Sequence, residues 1–374
     1  MRYRRFGKTN LPLSVFSIGT MRCLASEENA RQTVHQAVSL GINHLETARG
    51  YGKSEQYLGA ALKAGLPLSR EQLYITTKIP PTPDADTMRQ CIDESLLRLQ
   101  LDYVDCLAIH GINTWEHLDW VQSGCMQAVA EAVNSDRVRH VGFSTHAPLE
   151  VILAAINTDL FEFVNLHYYY FFQHNAPAVE LAHQKDMGIF IISPADKGGQ
   201  LYTPPETLKH LCQPFSPLEL NYKFLLSDRR ITTLSIGAAN PEELREPLTV
   251  AEGDEFLTQA EVEVLGRLET HLVETLSTDL CSQCYACLPC PENINIPEVL
   301  RLRNLAVAYD MTEYGKYRYR MFENAGHWFW GSKGDRCTDC GDCLPHCPQN
   351  LDIPALLRDS HQRLNGRAGR RLWE

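Results

Sequence analysis

What most limits the folds open to this chain is a unit of short β-rich run followed by helical pattern, met eight times between residues 15 and 250. The strand candidates are 15–19, 44–47, 73–79, 104–110, 138–144, 161–167, 189–193 and 231–237. Each is a short apolar or β-branched run bounded by turn residues, which is the mark of a buried strand. Between and after them, apolar positions recur at helical spacing over 27–40, 55–64, 86–99, 116–134, 148–157, 177–185, 218–226 and 241–250. Strands alternating with helices imply a parallel sheet. Eight such units predict a (β/α)8 barrel, an architecture that takes about 250 residues. Gly7-Lys8-Thr9-Asn10, between two short β-like runs, predicts a hairpin capping the bottom of that barrel. The barrel is expected over residues 1–275 and a small, mostly helical domain over 276–374.

The second part carries its own constraint. Cys281, Cys284, Cys287 and Cys290 are followed by Pro291, and Cys337, Cys340, Cys343 and Cys347 by Pro348. Thiolates two residues apart can wrap one face of an iron–sulfur cube, a fourth Cys can reach another cluster, and the proline turns the chain away. Two clusters are therefore expected. Disulfide frameworks belong to short secreted chains, and no cleavable signal is evident at the start of this one. Two zinc ions, each held by four thiolates, stay open as an alternative, although zinc knuckles more often separate their CxxC pairs. The other five cysteines, Cys23, Cys91, Cys106, Cys125 and Cys212, stand singly in apolar or helical surroundings and read as inert thiols.

With 44% hydrophobic residues, the 374-residue chain has ample material for a large core. No apolar run reaches the roughly 18 residues that a membrane span needs, and Arg4-Arg5 makes no convincing export signal. A reducing cytoplasm is the expected compartment. Residues 276–374 hold 12 acidic and 12 basic side chains, so the formal charge of −11 belongs to residues 1–275. That balance argues against a nucleic-acid partner. Arg363, Arg367, Arg370 and Arg371 form a local basic group that could dock an acidic redox partner, or simply end a solvated helix.

In a barrel of this kind chemistry gathers at the C-terminal ends of the strands. Glu46 lies near the end of the second expected strand, Tyr51 follows in its loop, Lys78 is near the end of the third, and His110 ends the fourth. Taken singly, each is a common structural group. Together at consecutive strand ends they point to a site. The segments HLETARGYGKSEQYLG, ITTKI, LAIHG and RHVGFST resemble the signature segments of the aldo-keto reductase superfamily, and the similarity runs through the barrel. The resemblance implies an NAD(P)H-dependent enzyme with an Asp, a Tyr, a Lys and a His at its active site. Tyr51, Lys78 and His110 match three of these, and Glu46 stands where the family has Asp. The fused cysteine region resembles the ferredoxin-bearing branch of the same family.

The chemistry of such a site follows from elementary considerations. A carbonyl that receives hydride becomes an alkoxide and needs a proton donor. A free phenol titrates near 10, and a neighbouring ammonium lowers that value. Tyr51 is thus the expected acid, Lys78 its charge partner, Glu46 the counter-ion of Lys78, and His110 the group that orients the carbonyl.

On the family pattern, Ser144 and Asn165 suit the nicotinamide carboxamide. Thr20, Met21, Ser193, Lys197, Gly237, Ala239 and Glu243 complete the expected cofactor residues. The segment SIGAANPEELREP resembles the loop and helix start that receive the adenosine phosphate. Its acidic residues favour NADH or dual use over NADPH alone, with Arg245 and Lys197 as basic candidates there. Trp115, His146, Tyr168, Tyr169, Tyr170, Phe171 and Phe172 give either an aromatic wall for a small carbonyl or alcohol substrate, or ordinary packing.

The long spacer between Cys290 and Cys337 resembles the helical two-cluster ferredoxin type, and the repeated segments NINIPEVL and NLDIPALL after the two cysteine runs support two similar half-sites. Its crossed ligation would join Cys281, Cys284 and Cys287 to Cys347, and Cys337, Cys340 and Cys343 to Cys290. The expected function is hydride transfer to or from a carbonyl, coupled or adjacent to electron transfer through two [4Fe–4S] clusters to a possible redox partner protein. A non-catalytic nicotinamide-sensing subunit and a reductase with a zinc-stabilised tail are the alternatives.

Overall fold

In the computed structural model, which describes residues 1–253 and 256–367, the chain divides by its internal contacts into two compact units. The first comprises Met1–Gly198 with Asn221–Phe256, and the second Gly199–Leu220 with Leu257–Glu374. The sequence reading divides the chain at 275/276 instead.

A two-stranded antiparallel hairpin opens the first unit, β1 (Tyr3–Arg5) pairing with β2 (Pro12–Ser14). The eight parallel strands follow: β3 (Phe16–Gly19), β4 (His44–Glu46), β5 (Tyr74–Ile79), β6 (Val104–His110), β7 (Val138–Ser144), β8 (Phe163–Leu166), β9 (Gly188–Ile191) and β10 (Thr233–Ile236). They close in chain order, with β10 pairing back to β3. This is the expected (β/α)8 barrel.

The hairpin contributes a plug. Phe6 is fully buried, its ring 5.1 Å from that of Phe163, in a cluster with Leu13, Cys106, Ala108 and Phe190. Gly188 makes room for it, because a Cβ there would come within 2.3 Å of the Phe6 ring. Above the plug lies a polar layer in which Ser17 Oγ meets His44 Nδ1 at 2.6 Å and Thr233 Oγ1 at 2.7 Å, while His44 Nε2 meets Thr76 Oγ1 at 2.7 Å. Burial, helped by the charge of Lys78, lowers the His44 pKa to about 3.

Two helices differ from the sequence reading. The expected 116–134 helix is Trp115–Trp120, a π-helical turn Val121–Cys125, and Met126–Asn134. Gly124 in that turn faces the backbone of Pro83, where a Cβ would stand 2.5 Å from the carbonyl oxygen. The wider turn accommodates that approach. The expected 241–250 helix opens as a 3₁₀ turn, Pro241–Leu244, capped by Asn240, and continues as Arg245–Glu252.

In the second unit, helix Gln259–Leu276 begins with a capping box between Thr258 and Glu261. It packs on helix Ile296–Tyr309, the Tyr309 hydroxyl donating to Leu268 O at 2.8 Å, and Arg267 donates to the carbonyls of Leu211 and Gln213. These contacts explain why residues 199–220 and 257–276 group with the cysteine-bearing segment. Helices Thr312–Tyr319 and Ile353–Leu364 complete the unit. Arg363 pairs with Asp359, while Arg370 and Arg371 lie outside the described residues. Among the described residues, no helix is long and apolar enough to cross a membrane.

Candidate active site and cysteine cradle

Strand alternation decides which side chains share the barrel interior. The period-two pattern puts Glu46 two residues beyond His44, Lys78 two beyond Thr76, His110 two beyond Ala108, Ser144 two beyond Gly142, and Asn165 two beyond Phe163. Strand register then sets His110 beside Ser144, and Ser144 beside Asn165.

At the C-terminal rim Lys78 Nζ donates to Glu46 Oε1 and, at 2.8 Å, to Thr47 O. Glu46 and Lys78 are only 3% and 1% exposed. Burial draws the Lys78 ammonium below its ordinary range, and the charge of Glu46 opposes that shift. The ammonium nitrogen stands 4.7 Å from the centre of the Tyr51 ring. Tyr51 in turn meets the His110 imidazole edge-on, at 5.5 Å between centroids and 84° between planes. All four expected catalytic residues are thus brought together.

Local structure explains how Tyr51 arrives there. After β4 the backbone folds back, Tyr51 N donating to Ala48 O and Ser54 N to Tyr51 O, and Gly52 adopts φ +58°. Helix Ser54–Ala64 starts at once. Ser54 Oγ lies 2.6 Å from Thr20 Oγ1 and 2.7 Å from Thr47 Oγ1, tying the ends of β3 and β4 to the new helix. Gly19 keeps the end of β3 close to β10, where a Cβ would meet Ser235 Oγ at 2.7 Å, while Glu46 Oε2 would stand at an ordinary contact distance of 3.5 Å.

The expected cofactor residues divide into several environments. Asn165 is fully buried, and neither its Oδ1 nor its Nδ2 has a hydrogen-bond partner among the described residues. Ser144 Oγ accepts from Gly111 N at 3.1 Å. Thr20 is buried in the hydroxyl network, and Met21 is half-buried beside it. Ser193 adopts φ +54° just after β9, its carbonyl accepting from Lys197 N at 3.0 Å, and Lys197 is half-buried.

Gly237, Ala239 and Glu243 gather around a residue that the sequence reading passed over. Arg22 donates to Gly237 O at 2.6 Å and to both carboxylate oxygens of Glu243 at 2.8 and 3.3 Å; Ala239 N also donates to Glu243. The basic candidates expected from sequence, Arg245 and Lys197, follow β10 and β9, whereas Arg22 comes from the loop after β3, which neighbours β10 in the closed barrel.

The proposed aromatic wall is partly core. Tyr168 and Tyr169 are buried, and the Tyr169 hydroxyl is bound between Ile192 O and His167 Nδ1. His167 Nε2 lies 3.1 Å from His146 Nδ1. Trp115 is 54% exposed.

All thirteen cysteines are free thiols. Burial pushes Cys23 up to about 11 and Cys212 up to about 12, which makes both poor nucleophiles. In the second unit, one cavity is lined by Cys290 together with Cys337, Cys340 and Cys343, closed by Pro291, Pro354 and other apolar groups. Cys281 lies within the electrostatic reach of Cys284 and Cys347, and Cys287 within that of Cys281, Cys284 and Cys343. Thiols of the two motifs therefore lie near one another. Among the described residues no three Cys, His, Asp or Glu side chains converge as one metal ion would need.

Comparison with known proteins agrees with this anatomy. Residues 16–265 match the Aldo/keto reductase family, and residues 280–351 match the 4Fe-4S dicluster domain. An L-galactose dehydrogenase of Arabidopsis thaliana is 31% identical over 221 residues, 54% of this chain and 68% of that protein. A 6-dehydroglucose reductase of Novosphingobium aromaticivorans is 32% identical over 177 residues, 43% of this chain and 56% of that protein. Among solved structures, an aldo-keto reductase from Bacillus halodurans in its holo form superposes with a TM-score of 0.63 at 23% identity, covering 71% of this chain and 96% of that one. That likeness speaks for the barrel fold. With its strand order, its rim and a family match over most of its length, the chain belongs to the aldo/keto reductase family and is an oxidoreductase carrying a C-terminal 4Fe-4S dicluster domain.

Proposed function

We propose that the barrel moves hydride between NAD(P)H and a small hydroxylated carbonyl, with Tyr51 as general acid, and that the second domain holds two [4Fe–4S] clusters. The observation that carries the catalytic part is the meeting of two groups at the Tyr51 ring, the Lys78 ammonium 4.7 Å from the ring centre and the His110 ring edge-on at 5.5 Å between centroids, with Glu46 bound to Lys78. When bound, the nicotinamide supplies the hydride. Tyr51 gives its proton to the carbonyl oxygen as alkoxide charge develops there, and the Lys78 ammonium eases that loss by favouring phenolate. Glu46 keeps the ammonium in place despite burial, and His110 hydrogen-bonds the carbonyl.

Asn165 supports the nicotinamide assignment, since an amide side chain complements a carboxamide in both donor and acceptor. The acidic residues of the segment expected to receive the adenosine favour NADH or dual use, and Arg22, paired with Glu243, is a basic group that stands against that preference. Two relatives named for sugar substrates support a polyhydroxylated carbonyl. The thiol grouping supports crossed ligation, with each cluster accepting one electron. The placing of eight cysteines in two cluster motifs rather than in a disulfide framework favours a reducing compartment.

The decisive experiment is Tyr51→Phe assayed against a panel of sugar-derived and simple aldehydes. The expected outcome is a loss of roughly 10²–10⁴ in kcat with nucleotide binding retained in a fluorescence titration. Unchanged turnover would remove Tyr51 from the chemistry.

A further inference from the structure

Two histidines stand just beyond the pair of residues assigned to the nicotinamide carboxamide. His146 follows Ser144, the last residue of β7, and His167 follows Asn165 near the end of β8, each by two positions, so both belong to the open C-terminal face of the barrel. The fold holds them there. His146 N donates to Asn113 Oδ1 at 2.7 Å, in the loop that leaves His110, and His167 O accepts from Asn175 Nδ2 at 2.9 Å. His146 is half-buried and His167 buried, with their rings 4.3 Å apart between centroids. Apolar side chains would fill this space at less cost, because a ring nitrogen under cover needs a hydrogen-bond partner.

One hydroxyl fixes where the protons of this group lie. The Tyr169 oxygen stands against both Ile192 O and His167 Nδ1. A carbonyl oxygen only accepts, so the single phenol proton goes to Ile192 O. The phenol oxygen then accepts from His167 Nδ1, which places that imidazole's proton on Nδ1. Nε2 of a neutral His167 is accordingly an acceptor, and the nearer nitrogen of His146, Nδ1 at 3.1 Å, donates to it. A neutral His146 therefore carries its proton on Nδ1 and a lone pair on Nε2. One backbone carbonyl sets the direction of three hydrogen bonds in succession.

The carbonyl of a substrate belongs between Tyr51 and His110, and His146 is anchored to the loop that follows His110. We propose that His146 Nε2 accepts a hydrogen bond from a hydroxyl on the carbon next to that carbonyl, so that the site selects 2-hydroxy carbonyls over those with a methyl or a carboxylate there. His146 is the binding group, and His167 and Tyr169 are positioning residues that fix its tautomer. The inference rests on the reductase reading of the barrel and narrows its substrate class.

The test compares three small aldehydes with the full-length protein at about pH 8, where an exposed imidazole is neutral. Glycolaldehyde donates from its hydroxyl, propanal has a methyl in that place, and glyoxylate has a carboxylate that only accepts. In kcat/KM corrected for aldehyde hydration, the wild type should prefer glycolaldehyde to each of the others by roughly tenfold, the worth of about one hydrogen bond. His146→Phe keeps a ring in place and removes the acceptor, so both preferences should fall to near parity. Tyr169→Phe removes only the hydroxyl that orders the chain. It opens both tautomers of the histidine pair, so the preference over glyoxylate should shrink more than that over propanal, and it decides the matter if His146→Phe does not fold. Equal wild-type turnover of glycolaldehyde and propanal, a wild-type preference for glyoxylate, or variants that scale all three aldehydes by one factor overturn the inference and leave the reductase reading standing. No turnover of any aldehyde by the nucleotide-bound wild type defeats that reading and the inference with it.

Discussion

Asn165 shows how a single side chain can record what a site is for. Leaving a buried polar group unpaired costs about 1–3 kcal/mol, and this amide has two such atoms at the barrel's inner face. A packing residue would relieve that cost by being apolar. Asn165→Leu, of similar volume, should therefore stabilise the nucleotide-free protein, by roughly 1–2 kcal/mol, while weakening nucleotide binding. Thermal unfolding with and without NADH measures both effects in one experiment. A fall in the stability of the nucleotide-free form would make Asn165 a structural residue. The sequence placed Asn165 by analogy alone, since an Asn near a strand end is ordinary; its burial without partners is a property of the closed barrel. Arg22 escaped for a related reason. Its partner Glu243 is 221 residues away, and only ring closure makes the loops after β3 and β10 neighbours.

At the level of elements, the polar layer beneath the site ties β3, β4, β5 and β10 together through His44. With its pKa near 3 in the fold and near 6.5 when exposed, His44 takes up a proton in the unfolded chain first. Its contribution to stability is therefore intact above about pH 6.5 and lost as pH falls toward 3. Between those limits, His44→Gln should flatten the loss of stability with acid by about 1 kcal/mol per pH unit. Urea unfolding at several pH values checks this, and identical slopes for the two proteins would show that the layer does not depend on a neutral imidazole. The eight strands were legible because each is a compact apolar run, and β6 and β7 fall on the expected residues. Strand ends elsewhere are shorter than read, as in β8, where Phe161 and His167 flank the paired residues. Helix Gln259–Leu276 was missed although Thr258 and Glu261 carry a capping-box signature. The π-turn at Val121–Cys125 carries Gly124, which lies against the Pro83 backbone, a contact between distant segments that local sequence spacing does not display.

Across the whole molecule, the two units deal in different currencies of electrons. Hydride carries two electrons at once, whereas each cluster takes one, so passing electrons from the barrel chemistry to the clusters requires a carrier that can hold a single electron in between. The groups at the rim, a phenol, an ammonium, an imidazole and a carboxylate, move protons and orient charge; none of them is suited to hold one electron stably. The expected outcome is that excess NADH leaves the visible absorbance of the anaerobic clusters unchanged, that dithionite bleaches it, and that an added flavin, which takes the hydride and gives up its electrons singly, restores bleaching by NADH. Carbonyl reduction should meanwhile persist in Cys343→Ser, which removes a cluster thiolate. Bleaching by NADH alone would mean that the chain splits the electron pair unaided, and the carrier would then have to be sought within the protein itself.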